Sequence, residues 1–88
     1  MSVALKLYVK TWCGWCVRAK RYLDQHGYEY EEIDVEADPA AYSEMIRLSG
    51  QRYTPTLVVA GEVLPDFGPE ELEMFLEEHK IKPSHSEA

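Results

Sequence analysis

Two cysteines, Cys13 and Cys16, are separated by two residues in the sequence Trp-Cys-Gly-Trp-Cys, shortly after a run of apolar residues. A cysteine pair with this spacing, where a strand meets a helix, is typical of a thiol–disulfide redox centre. The thiolate is the reactive form, and the amino end of a helix stabilises it through unpaired N–H groups and the positive end of the helix dipole. We therefore predict that Cys13 attacks a disulfide and that Cys16, one helical turn later, resolves the mixed disulfide.

Three other roles for the cysteine pair compete with this prediction. A buried, inert pair is disfavoured because the flanking tryptophans and the position after a strand indicate exposure. A zinc site needs four ligands, and the chain offers no second cysteine pair and only His26, His79 and His85, at unsuitable spacings. A structural disulfide stabilises little when the loop that it closes is so short. We therefore expect a redox pair and no metal site.

The charge of the chain is unevenly distributed. The net charge is −7, yet residues 1–23 contain five basic side chains and no acidic one. Both cysteines lie in this basic segment, whose field favours a thiolate, although Arg18, Lys20 and Arg21 could equally be the solvated face of a helix. The acidic remainder of the chain argues against nucleic acid as a partner, because phosphate binding needs clustered Lys and Arg.

The apolar runs are short. The run of residues 56–60 is far below the roughly 20 residues that a membrane-spanning helix needs. Lys6 and Lys10 interrupt the first apolar run, and no small-residue cleavage site follows it, so the pattern is not that of a signal peptide. We therefore expect a cytoplasmic protein that does not bind a membrane.

The hydrophobic pattern predicts the element order β-α-β-α-β-β-α in a single domain, residues 1–82, followed by a short frayed tail, residues 83–88. Strands are predicted at 5–9, 28–35, 56–60 and 63–64, and helices at 14–26, at 39–49 and from about 69 onward. The first β-α-β unit is expected to be parallel and the last two strands antiparallel. The predicted fold class is α/β, with helices on both faces of a mixed four-stranded sheet.

Three segments resemble the glutaredoxin family, which has the thioredoxin-like fold. Lys10–Cys16 is similar to the active-site segment of that family, in which a lysine precedes the cysteine motif by two residues. Ser49–Pro55 is similar to the stretch that leads to a cis-proline. Phe67–Leu72 occupies the place where a second glutathione-contacting loop enters the last helix. The resemblance extends over about residues 5–79.

This resemblance implies a thiol–disulfide oxidoreductase with glutathione as co-substrate. It implies a cis bond at Thr54–Pro55, with the backbone of Thr54 free to pair with an extended substrate; an ordinary strand-opening proline is the alternative. Trp12 and Trp15 are expected to face the substrate, the alternative being partial packing in the core. The remaining candidate contacts for glutathione are Lys10, Gln51, Arg52 and Glu70. The alternative role for Glu70 is to complement the helix dipole.

The chain also departs from the glutaredoxin pattern. Gly14 replaces the usual proline, and Tyr53 and Thr54 stand where threonine and valine are usual. The Gly-Gly pair before the last helix is missing, and residues 65–69 there are similar to NrdH-type redoxins, which take electrons from thioredoxin reductase. An NrdH-type redoxin is therefore an alternative function, with Phe67 expected to block the pocket for the γ-glutamyl end of glutathione.

An iron–sulfur cluster carrier is a further alternative. Some glutaredoxins without the motif proline hold a cluster between two subunits through the first cysteine and bound glutathione, and Gly14 resembles their motif. The main prediction remains a monomer that reduces protein disulfides or glutathione mixed disulfides. Its expected partners are glutathione and disulfide-containing proteins, with thioredoxin reductase as the alternative electron donor.

Overall fold

The computed structural model describes residues 4–83, and its elements follow the predicted order. The strands are β1 (Leu5–Val9), β2 (Glu31–Asp34), β3 (Thr56–Val59) and β4 (Glu62–Pro65). The helices are α1 (Gly14–Gln25), α2 (Pro39–Ser49) and α3 (Pro69–Glu78). Apart from Pro83, the predicted frayed tail, residues 83–88, lies outside the described residues.

The four strands form one mixed sheet in the order β2-β1-β3-β4. β1 is parallel to β2, whereas β3 is antiparallel to both β1 and β4. The parallel pair needs a crossover connection, which α1 provides, and a tight turn through Ala60 and Gly61, both at positive φ, joins β3 to β4. The predicted fold class is confirmed.

The register between β1 and β3 determines where the cysteine motif lies. Tyr8, next to the last residue of β1, is opposite Thr56, the first residue of β3. Because the two strands are antiparallel, the chain leaves β1 and enters β3 at the same end of the sheet. The segment with Cys13 and the segment with Thr54 therefore meet there.

The core has two parts, one on each face of the sheet. The larger part contains the β1 side chains Leu5, Leu7 and Val9 together with buried residues of α1 and α3. Tyr8, between them in the sequence, points to the other face and packs with Met45 of α2. This alternation is the period of two expected of a strand with both faces covered, and it confirms that helices lie on both faces.

Helix α2 begins and ends at the residues that the sequence predicts. The Asp38 carboxylate accepts hydrogen bonds from the backbone N–H groups of Ala40 (3.1 Å) and Ala41 (3.2 Å). Pro39 follows at the first helical position, where a missing N–H costs nothing. Gly50 ends the helix at φ 73°, a conformation that costs a residue with a Cβ roughly 1–2 kcal/mol.

The predicted strand 28–35 is wrong in extent, because β2 covers only Glu31–Asp34. Tyr28 instead belongs to the connection after α1, where its backbone N–H bonds to the carbonyl of Leu23 (2.9 Å). Its hydroxyl donates to the Ile81 carbonyl (2.9 Å), and the Tyr30 hydroxyl donates to Asp24 (3.1 Å). These tertiary contacts override the alternating pattern of the sequence.

No helix within residues 4–83 has both the length and the apolar composition needed to cross a membrane.

The raised pKa values of two tyrosines predict how the free energy of unfolding changes at alkaline pH. Burial, together with the hydrogen bond to Glu44, raises the pKa of Tyr8 from 10.0 to about 12. Burial and the bond to Asp24 raise the pKa of Tyr30 equally, to about 12. Between pH 10 and 12 the unfolded chain loses these protons while the folded chain keeps them, so the free energy of unfolding falls as pH rises through this window.

We expect Tyr8→Phe to weaken this pH dependence in urea unfolding measured from pH 9 to 12, because the phenylalanine keeps the packing and removes the ionisable group. Tyr53→Phe is the matched control, since Tyr53 is 60% exposed. A Tyr8→Phe curve parallel to that of the unmodified protein would contradict the assignment.

Candidate active site

Cys13 is the N-cap residue of α1, and its sulfur accepts a hydrogen bond from the backbone N–H of Cys16 (3.1 Å). The two cysteines form a disulfide with their Cα atoms 5.1 Å apart, so the structure shows the oxidised form. Cys16 is 1% exposed, whereas Cys13 is half-buried. An external thiol or disulfide therefore has access to Cys13 and not to Cys16.

Thr54 lies against the sulfur of Cys13 from the other side. Its hydroxyl is 3.5 Å and its carbonyl oxygen 3.7 Å from Cys13 Sγ. The Thr54–Pro55 peptide bond is cis, as the resemblance implies, and Pro55 is buried. The site thus combines the amino end of α1 with the segment that enters β3.

The two tryptophans of the motif have different surroundings. Trp12 is 96% exposed, whereas Trp15 is 52% exposed and lies against the start of α3. A Cβ added to Gly68 would be only 3.0 Å from Cζ3 of Trp15, so the absence of a side chain at Gly68 permits this contact. The guanidinium carbon of Arg18 is 4.7 Å from the centre of the Trp15 ring, in cation–π geometry.

Gln51 is bonded within its own loop. Its side-chain nitrogen donates to the hydroxyls of Ser49 (2.9 Å) and Thr56 (3.1 Å). Its side-chain oxygen accepts from the backbone N–H of Tyr53 (2.6 Å). The side-chain amide of Gln51, which the sequence suggests as a ligand for a substrate carboxylate, is therefore already hydrogen-bonded to other groups of the protein.

Comparison with known proteins assigns this arrangement to a family. The sequence model of the glutaredoxin family matches residues 5–64, a range that contains both cysteines and Pro55. The chain belongs to the glutaredoxin family. Members of this family are thiol–disulfide oxidoreductases, and the cysteine pair that such chemistry requires is present in the chain.

Proteins similar to this chain include glutaredoxins and an NrdH-redoxin. The glutaredoxin of Neisseria meningitidis is 41% identical over 54 residues, which are 60% of this chain and 64%, less than two thirds, of that protein. A buckwheat glutaredoxin–glutathione complex is 26% identical and covers 90% of this chain and 73% of its own, with a TM-score of 0.70. The NrdH-redoxin from Escherichia coli, described as having a thioredoxin-like activity profile, is 25% identical and covers 81% and 92%, with a TM-score of 0.69.

In this glutaredoxin-family chain, the other candidate contacts for glutathione lie at the surface or against the protein. The ammonium of Lys10 is 5.5 Å from the centre of the Tyr42 ring. Arg52 and Glu70 are exposed.

A cavity of about 330 Å³ lies beside Trp15 and is also lined by Asp66, Phe67, Gly68 and Glu71. Phe67 lines this cavity while it is 3% exposed and packed in the larger part of the core. That Phe67 blocks the pocket for the γ-glutamyl end of glutathione stays a prediction.

Sequence reasoning missed Asp66 and Glu71. A side-chain oxygen of Glu71 accepts a hydrogen bond from the backbone N–H of Gly68 (2.9 Å), at the amino end of α3. The signal was available, because an acidic residue at the third position of a helix that begins at Pro69 commonly bonds back to the residue before the helix. Asp66 and Glu71 both line the cavity, so two acidic residues border this side of the site.

Within the described range, 4–83, no group of three or more His, Cys, Asp or Glu side chains is arranged to hold a metal ion.

Proposed function

We propose that the protein reduces disulfides of proteins and mixed disulfides of glutathione, cycling between a dithiol and the Cys13–Cys16 disulfide. The strongest support is the asymmetry of the pair. Cys13 is accessible, and its sulfur accepts a hydrogen bond from a backbone N–H at the start of α1. Cys16 is buried and close enough to form a disulfide with Cys13. The start of α1 therefore stabilises the thiolate of Cys13, the cysteine that a substrate can reach. Reduced thiols persist in the cytoplasm, which is where we place the protein.

The reaction transfers two electrons in two exchanges. The Cys13 thiolate attacks one sulfur of the substrate disulfide, which forms a mixed disulfide and releases the other sulfur as a thiolate that takes up a proton. The Cys16 thiolate then attacks the sulfur of Cys13, releases the second substrate thiol and forms the Cys13–Cys16 disulfide. The substrate is reduced by two electrons and the protein is oxidised by two.

The substrate-binding surface that we propose surrounds Cys13. Trp12 and Trp15 provide apolar contact on one side, and the backbone of Thr54, held next to Pro55, pairs with an extended substrate on the other. The proposed contacts for charged groups of a substrate are Lys10 and Arg52 for a carboxylate and Glu70 for an amine.

Glutathione is the electron donor that we propose first. Glutaredoxins use glutathione as co-substrate, and one structure similar to this chain is a glutaredoxin–glutathione complex. The basic segment that contains Cys13 also suits a tripeptide with two carboxylates.

Thioredoxin reductase is the second candidate donor, and a specific observation favours it. Asp66 and Glu71 line the cavity beside Trp15, where their negative charges oppose a carboxylate of glutathione. The likeness to an NrdH-redoxin points the same way.

Two coupled assays with the same small disulfide substrate decide between the donors. One supplies glutathione and glutathione reductase, the other thioredoxin reductase, and both follow oxidation of NADPH. Our first proposal predicts turnover in the glutathione assay, weakened several-fold by Lys10→Ala and unchanged by Lys82→Ala, a matched control far from the motif in the sequence. Turnover in the thioredoxin reductase assay alone would contradict it.

We also propose that the working form is a monomer. Size-exclusion chromatography after anaerobic purification tests this. A colourless monomer is expected, whereas a brown dimer would favour the iron–sulfur carrier.

A further inference from the structure

The loop between α2 and β3 is held by a network of side-chain hydrogen bonds. Gln51 lies at its centre, bonded to Ser49, Thr56 and the backbone N–H of Tyr53. The Thr56 hydroxyl in turn donates to the Tyr53 carbonyl (2.8 Å), and the Ser49 hydroxyl lies 2.7 Å from the Met45 carbonyl. The network therefore links the last turn of α2 to the first residue of β3.

The network occupies both backbone polar groups of Tyr53. Its N–H bonds to Gln51 and its C=O to Thr56, so Tyr53 is fixed at two points. Thr54 follows directly, and both its hydroxyl and its carbonyl lie within 3.7 Å of Cys13 Sγ. The position of Thr54 relative to the sulfur thus depends on a neighbour that is held by Gln51.

We propose that Gln51 is a positioning residue of the redox site, which acts by holding Thr54 against the sulfur of Cys13. In the disulfide form the Thr54 hydroxyl lies 3.5 Å from Cys13 Sγ, beside the N–H of Cys16. In the reduced protein the same hydroxyl would donate to the Cys13 thiolate. Hydrogen bonds to the charged form favour that form. Gln51 therefore increases the reactivity of Cys13 without touching it or the substrate.

Two basic side chains and one acidic side chain near the motif have contacts in the structure. Lys10 lies over Tyr42, and Arg18 lies over the ring of Trp15. Glu36, which follows β2, accepts a hydrogen bond from the backbone N–H of Thr11 (3.0 Å). Within residues 4–83, the hydrogen-bond partners of Cys13 Sγ are the backbone N–H of Cys16 and Thr54. Loss of the Thr54 contact is therefore expected to alter the reactivity of the thiol.

The experiment measures the rate at which iodoacetamide labels Cys13 in the reduced protein, as a function of pH. It rests on Cys13 being the attacking cysteine of the proposed function, but it needs no disulfide substrate or reductase, so it can fail while turnover succeeds and the reverse. We expect Gln51→Met to lower the rate at pH 7 about 3- to 10-fold, the worth of one hydrogen bond, and to move the pH midpoint of labelling upward.

Two further comparisons separate positioning from a general loss of stability. Thr54→Val is expected to have a similar effect, and the double variant with Gln51→Met no larger one, because both act on the same contact. Thr56→Val should lower the rate as Gln51→Met does, whereas Thr56→Ser, which keeps the hydroxyl, should restore it.

Gln25→Met is the matched control, since Gln25 is an exposed glutamine at the end of α1, and it should leave the labelling profile unchanged. A lower melting temperature of Gln51→Met with an unchanged pH profile would overturn the proposal. Additive effects of Gln51→Met and Thr54→Val would overturn it too.

Discussion

Cys13→Ser is expected to reduce disulfide reduction to the background of the assay. A serine hydroxyl in this position remains protonated at neutral pH and is a poor nucleophile toward sulfur, so the first exchange stops. The N–H of Cys16 and the hydroxyl of Thr54 would still face the serine oxygen, so loss of activity would show that these contacts alone do not create a nucleophile. The measurement is NADPH oxidation in the coupled assays.

Cys16→Ser is the informative partner of this variant, because it removes the second exchange and leaves the first intact. We expect a covalent adduct between Cys13 and a protein substrate, visible by mass spectrometry and reversed by a reductant. Activity on glutathione mixed disulfides can persist in this variant when free glutathione releases Cys13. Full protein disulfide turnover by Cys13→Ser, or adducts that form on Cys16 in that variant, would reverse the assigned roles.

Leu23→Ala is expected to lower the free energy of unfolding by about 2–5 kcal/mol, the usual cost of removing a fully buried leucine side chain. Leu23 is 0% exposed on the face of α1 that also buries Cys16 and Ala19. Since domains are generally stable by about 5–15 kcal/mol, this is a large part of the total. Urea unfolding of the reduced proteins measures it.

Leu48→Ala is the matched control for Leu23→Ala. It is the same substitution in a helix, at a side chain that is 37% exposed, so it should cost clearly less. Equal losses for the two variants would show that the core on the α1 face contributes less than its burial indicates.

Local chemistry made several features of the fold predictable. Asp38, Pro39 and Gly50 mark the ends of α2 because each meets a backbone requirement that depends on its neighbours alone. The place of Cys13 at the start of α1 follows in the same way from the change from a strand pattern to a helix pattern.

Features that depend on distant parts of the chain were not predictable. Tyr28 alternates like a strand residue, yet its hydroxyl bonds to Ile81, 53 residues away. From the sequence alone, Gln51 is a candidate contact for a substrate. Its hydrogen-bond partners become evident only in the fold, where the end of α2 and the start of β3 lie close together. Phe67 is apolar in a loop, and only the packed core shows that its ring is buried.

The most direct test of the redox site is to find which cysteine of the reduced protein reacts first. The protein is labelled with limiting iodoacetamide at a series of pH values, and the modified residue is located by mass spectrometry of its peptides. We expect Cys13 to carry nearly all of the early label across the series, because its sulfur is accessible and faces the start of α1 while Cys16 is buried. Early label on Cys16, or equal label on both cysteines, would contradict it.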